Sequence, residues 1–108
     1  MNKISLFVIA ALAATVISAS AAESKETWEK ACAKCHGPDG KGDTKMGKKL
    51  EIKDLTDAKL QGSLKDEEMF KAIKEGIKDG DKTRMKAAEG LTEDEMKALV
   101  AYVRTLKK

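Results

Sequence analysis

The sequence predicts an all-α domain of a few short helices gathered around one bound group, and three observations predict it. Apolar residues recur at three- and four-residue spacing over 63–76 and again over 92–106, the mark of helices with one buried face. No alternating or β-branched run long enough to make a strand appears anywhere. Aromatic residues are only 4% and charged residues 36% of 108. A single small domain with so few large apolar side chains needs a disulfide, a metal or a cofactor to hold it.

Taken in order, residues 1–22 read as a cleaved secretory signal. Lys3 makes a positive start, Ile4 to Ile17 form an apolar stretch interrupted only by Ser5 and Thr15, and Ala19-Ser20-Ala21 is an A-x-A cleavage site. Cleavage is expected after Ala21 or Ala22, leaving one domain over 23–108. The apolar run is short for a spanning helix, which needs about 20 residues. The mature chain is therefore expected to be exported, with no membrane span. Lys plus Arg is 21 against 18 acidic residues, a formal charge of +3 that lacks the basic excess of a nucleic-acid protein.

A first helix is expected from Ser24 to His36, with Trp28 four residues before Cys32 and so on the same face. Both cysteines and the one histidine of the chain lie together in Cys32-Ala33-Lys34-Cys35-His36. A C-x-x-C-H run reads as a covalent haem-attachment site: two thiols for the haem edge, then an imidazole for the iron. Three competitors fit less well. An exported protein invites a disulfide. A thioredoxin-type motif needs a preceding strand, whereas Glu26 to Ala31 looks helical and charged. Zinc would find only three Cys/His ligands.

From Gly37 to Leu50 the chain turns to Gly, Lys and Asp around its one proline, Pro38, a loop without the spacing of a phosphate-binding P-loop. Asp54 to Asp57 is a short turn or helix start. The next helix runs from Ser63 to Gly76, with Ser63 and Asp66 capping its start, Gly76 ending it, and Met69, Phe70, Ile73 and Ile77 in its apolar stripe. Residues 78–90 read as irregular. Thr92-Glu93-Asp94-Glu95 is a capping box. It opens a helix with Met96, Leu99, Val100, Val103 and Leu106 on one face.

This order of elements, with Cys32-Ala33-Lys34-Cys35-His36 at the end of the first helix and Ala101-Tyr102-Val103-Arg104 in the last, resembles the class I cytochromes c over nearly all the mature chain. The resemblance implies three to four short helices wrapped around one haem c, bound covalently through Cys32 and Cys35. It implies His36 as the proximal iron ligand, its other ring nitrogen donating to a backbone carbonyl. The family's acceptor lies near a Gly-Pro pair; the corresponding stretch here is Gly47-Lys48. It also implies that an aromatic residue at the position of Trp28 packs on the C-terminal helix.

Four methionines follow the leader. Met69 and Met96 lie in helical stripes, where methionine fills core space. Met46 lies in the loop after the motif, and Met85 lies in the irregular segment before the last helix. The family takes its distal ligand from that second segment, so the resemblance implies Met85, although Lys86 stands where the family places a proline.

Histidine opposite a thioether leaves no position for a substrate. The function expected is therefore one-electron transfer by a monomeric periplasmic carrier, not an enzyme, working between redox partner proteins. Two other readings stay open: a haem protein whose sixth position is vacant or displaceable, binding a gas or reducing peroxide, and a subunit held on a larger oxidoreductase. Lys34, Lys41, Lys45, Lys48, Lys49 and Lys53, with Lys82, Arg84 and Lys86, would make a positive rim for an acidic docking surface. Arg84 has a second possible use, pairing with a haem propionate.

Overall fold

The core of the computed structural model, which describes residues 21–108, is assembled from one face of the last helix. The expected leader, apart from Ala21 and Ala22 at the start of the first helix, lies outside the described residues. The elements run α1 (Ala21–Ala31), α2 (Ala33–His36), α3 (Lys45–Lys49), α4 (Ala58–Ser63), α5 (Asp66–Glu75), β1 (Ile77–Asp79), β2 (Lys82–Met85) and α6 (Glu93–Thr105). The domain is all-α apart from one small hairpin.

The capping box at Thr92 is present as read. The Thr92 hydroxyl accepts from the Glu95 N–H at 3.1 Å, and the Glu95 carboxylate accepts from the Thr92 N–H at 3.2 Å. From this start α6 buries Met96, Leu99, Val100 and Val103. Leu106 falls just past the helix end and is half-buried. Trp28 from α1, Cys32 from the α1–α2 junction and Ile73 from α5 complete the core. Each such side chain contributes roughly 1.5–3 kcal/mol of burial.

Six helical segments replace the three or four expected, for local reasons. Cys32 (φ −121°) leaves helical geometry and divides the first helix into α1 and α2, although the Cys32 N–H still bonds the Trp28 carbonyl at 2.8 Å. Ser63 does not cap α5. It closes α4, its hydroxyl donating to the Leu60 carbonyl at 2.7 Å. The N-cap of α5 is Lys65, which makes no capping bond, and Asp66, Glu67 and Glu68 sit in its first turn, where negative charge suits the helix dipole. Gly76 (φ 76°) ends α5 as expected.

The stretch read as irregular contains an antiparallel hairpin. Ile77 pairs with Met85, Lys78 with Thr83 and Asp79 with Lys82, with a bulge between Ile77 and Lys78. Of the two turn residues, Gly80 and Asp81, only Gly80 has a positive φ (62°), the pattern of a type II′ turn.

Gln61 and Arg104 tie the middle of the chain to α6. Gln61, 3% exposed, donates to the carbonyls of Leu55 (2.6 Å) and Val103 (2.8 Å). The Arg104 guanidinium donates to the carbonyls of Gln61 and Leu64, both at 2.6 Å, and to Asp66 at 2.8 Å. It thereby closes the C-terminal end of α4 and the start of α5 at once.

Candidate functional site

Cys32, Cys35 and His36 stand together at the α1–α2 junction, and both cysteines are free thiols. Cys32 is buried, and that burial, with Cys35 adding to it, pushes its thiol up to about 11. His36 is half-buried, and burial lowers its pKa, so the ring is held neutral with a lone pair to offer. Its Nδ1 is buried and has no hydrogen-bond partner among the described residues. No group of three His, Cys, Asp or Glu side chains among those residues is placed to cage a metal ion.

The carbonyls of Cys35, His36 and Gly37 are all engaged, that of Gly37 twice, since it also accepts from the Gly40 N–H at 3.2 Å. A short helix leaves its last carbonyls without partners, and here each finds one. The Cys35 carbonyl accepts from the Thr44 hydroxyl at 2.7 Å. The His36 carbonyl accepts from the Gly42 N–H at 2.7 Å. The Gly37 carbonyl accepts from the Trp28 indole N–H at 3.0 Å. Trp28 is 2% exposed, and its ring lies near two others, with centroids 5.6 Å from His36 and 5.5 Å from Tyr102 on α6. The expected packing of Trp28 on the last helix is thus present. The indole bond to the motif is a contact that the sequence reading did not anticipate.

Gly47 presses against the same turn. A Cβ there would overlap the Gly42 carbonyl oxygen and stand 2.5 Å from that of Cys35. The Gly47 carbonyl accepts from the Ile52 N–H at 2.9 Å, and no carbonyl among the described residues accepts from the His36 Nδ1. Glycine at this position therefore serves close approach of the backbone.

Met85, the last residue of β2, is half-buried and packs on the core that contains Cys32. Its backbone pairs with Ile77 of β1. Gly76 lies so close that a Cβ there would stand 2.5 Å from the Met85 carbonyl oxygen, and the Ala88 N–H donates to the Ile73 carbonyl at 2.8 Å. Met69 packs on the same core and Met96 is part of it, whereas Met46, half-buried on α3, is outside that set. Of the proposed rim, every lysine is exposed. Arg84 is partly covered and reaches Asp79 across the hairpin at 3.5 Å.

A neutral imidazole with an unpartnered buried nitrogen, beside two free thiols on adjoining turns, fits a covalently held haem. Comparison with known proteins agrees. Residues 21–107 match the sequence model of the family described as cytochrome c. Among solved structures the chain is similar to the KustC0563 c-type cytochrome, at 34% identity and a TM-score of 0.68, over 79% of this chain and 98% of that one. It is similar also to a tyrosine-to-phenylalanine mutant of Kustc0563, at 34% identity and a TM-score of 0.65, over 78% of this chain and 98% of that one. No curated protein sequence matches it.

Proposed function

Since the chain belongs to the cytochrome c family and carries haem c, we propose that it is an exported, monomeric one-electron carrier with His36 and Met85 as the axial iron ligands. When bound, haem c supplies one reversible electron site. Cys32 and Cys35 would hold it through thioether bonds, and the neutral ring of His36 would offer one nitrogen to the iron. Met85 would offer its sulfur, and a thioether ligand favours the reduced state. Two protein ligands leave no position for a substrate, so the electron passes without bond making. The observation that carries the reading of Met85 is its packing on the core of which Cys32 is a member, with its backbone fixed against Gly76.

Export to the periplasm is supported by the leader-like composition of residues 1–22 and by a family match that begins at residue 21. Among the described residues no helix is long and apolar enough to cross a membrane. Donor and acceptor are redox proteins, and the exposed lysines around the motif and hairpin suit an acidic docking surface.

The optical spectrum of the oxidised protein tests the ligation. The weak long-wavelength sulfur-to-iron band is expected in the wild type and lost in Met85→Ala. A band that survives the substitution would move the ligand to Met46 or another methionine. A second reading draws on Lys86, which is exposed and lies outside the hairpin, so no proline stiffens the chain after Met85. A displaceable sulfur would admit a gas or peroxide. A spectral change on adding carbon monoxide to the reduced protein would put that reading first.

A further inference from the structure

We infer that Trp28 is a positioning residue for His36: its indole N–H holds the Gly37 carbonyl and its ring backs an imidazole whose Nδ1 no protein group holds. The inference rests on His36 as an iron ligand and deepens that reading.

Orientation of a metal-bound histidine is commonly set by a hydrogen bond from its second nitrogen to a carbonyl or carboxylate. Here the His36 Nδ1 has no such partner among the described residues. Packing and backbone must then do what that bond does elsewhere. The backbone is fixed by the carbonyl bonds described above, three of them supplied by the loop that follows the motif (Gly40, Gly42 and Thr44). The fourth, which shares the Gly37 carbonyl with Gly40, comes from a different helix through a side chain that also lies against the imidazole. Trp28 thus contacts both His36 and the carbonyl directly after it. Its ring also lies 5.5 Å from that of Tyr102, so the position of the indole, and with it the motif, is referred to α6. A phenylalanine would fill much of the same space but has no donor. The polar edge of the indole is what separates a positioning role from plain core filling.

The sequence contains one tryptophan and one histidine, so ¹⁵N labelling of each residue type reports on a single side chain. In the reduced wild-type holoprotein the Trp28 indole N–H should exchange with solvent on the order of a hundredfold more slowly than a free indole. Exchange at the free rate would overturn the inference without any mutant. In the oxidised holoprotein the His36 ring nitrogens should carry large paramagnetic shifts. Trp28→Phe should move those shifts, because they depend on ring orientation. Leu99→Ala, which hollows the same core from α6, should lower the melting temperature and leave them in place. Shifts unchanged in Trp28→Phe, or moved equally by both variants, would overturn the positioning role. Diamagnetic His36 nitrogens in the wild type would remove the ligation reading itself, and the inference with it.

Discussion

Gly76→Ala is the substitution by which the structure can be tested most sharply, because one methyl group meets both the fold and the proposed distal ligand. Gly76 has φ 76° and ψ −177°, a region open essentially to glycine alone. Occupying it with alanine costs about 1–3 kcal/mol. The added Cβ would stand 2.5 Å from the Met85 carbonyl oxygen and 2.8 Å from the Ala87 nitrogen, both backbone atoms with no rotamer to change. Relieving such an overlap costs about 1–3 kcal/mol more. Taking about 3 kcal/mol together, a domain of this size should melt roughly 12–24 °C lower. Gly80→Ala is the control, because Gly80 also has a positive φ (62°) but nothing within 4 Å of the new methyl. It should lose only the backbone part, about 1–2 kcal/mol. The assay is thermal unfolding of the oxidised holoprotein together with its sulfur-to-iron band. Equal melting temperatures for the two variants would refute the close approach at Gly76. A large loss of stability with the band intact would refute the coupling of Gly76 to the sulfur of Met85.

Three further outcomes are expected. Gln61→Leu removes the donor to the half-buried Leu55 carbonyl, while the Val103 carbonyl keeps the Leu106 N–H at 3.1 Å. One orphaned acceptor costs about 1–3 kcal/mol, and an unchanged melting temperature would show that water replaces the amide. Asp54 accepts from the Thr56 hydroxyl (2.6 Å) and N–H (2.8 Å), which hold its carboxyl below the usual aspartate range. A depressed folded pKa means a contribution fully present above the unfolded value of about 3.9 and lost as pH falls through the folded one. The stability difference between wild type and Asp54→Asn should therefore shrink in acid, and a difference constant with pH would refute the assignment. Finally, reduction by an acidic partner protein should slow as ionic strength rises from about 0.01 to 0.15 M, where the Debye length falls from about 30 to 8 Å. A rate indifferent to salt would remove the steering role of the lysine rim.

What could be read from the sequence was whatever depends on local spacing. The capping box at Thr92, the stripe Met96–Leu99–Val100–Val103 and the stop at Gly76 are set by neighbours within one helical turn, and all three are present. The motif was legible because its chemistry needs two thiols and an imidazole at fixed offsets. The hairpin was missed because its strands are three and four residues long, too short to show alternation. Its one local signal was Gly80-Asp81, a dipeptide that fits a two-residue loop with glycine first. Ser63 was misplaced because a serine before an acidic turn caps a helix in most settings, and here it ends the helix before. The roles of Gln61 and Arg104 span 42 and 43 residues of sequence, and no spacing rule reaches that far.

The two proposed ligands are held in different ways, and this bears on which of them would yield first. His36 lies between two residues that would be bonded covalently or packed in place: Cys35 on one side and Gly37, held by Trp28, on the other. The three successive carbonyls around it all have partners. Met85 sits at the end of a strand paired only with β1, beside the bulge at Ile77 and Lys78, and Ile77 is 45% exposed. The chain beyond it returns to α5 through one backbone bond, Ala88 to Ile73. Opening that edge breaks few buried contacts, whereas moving His36 must disturb Trp28 and the seam between α1 and α6. Ligand exchange in this fold should therefore begin at the hairpin, with the histidine side remaining in place.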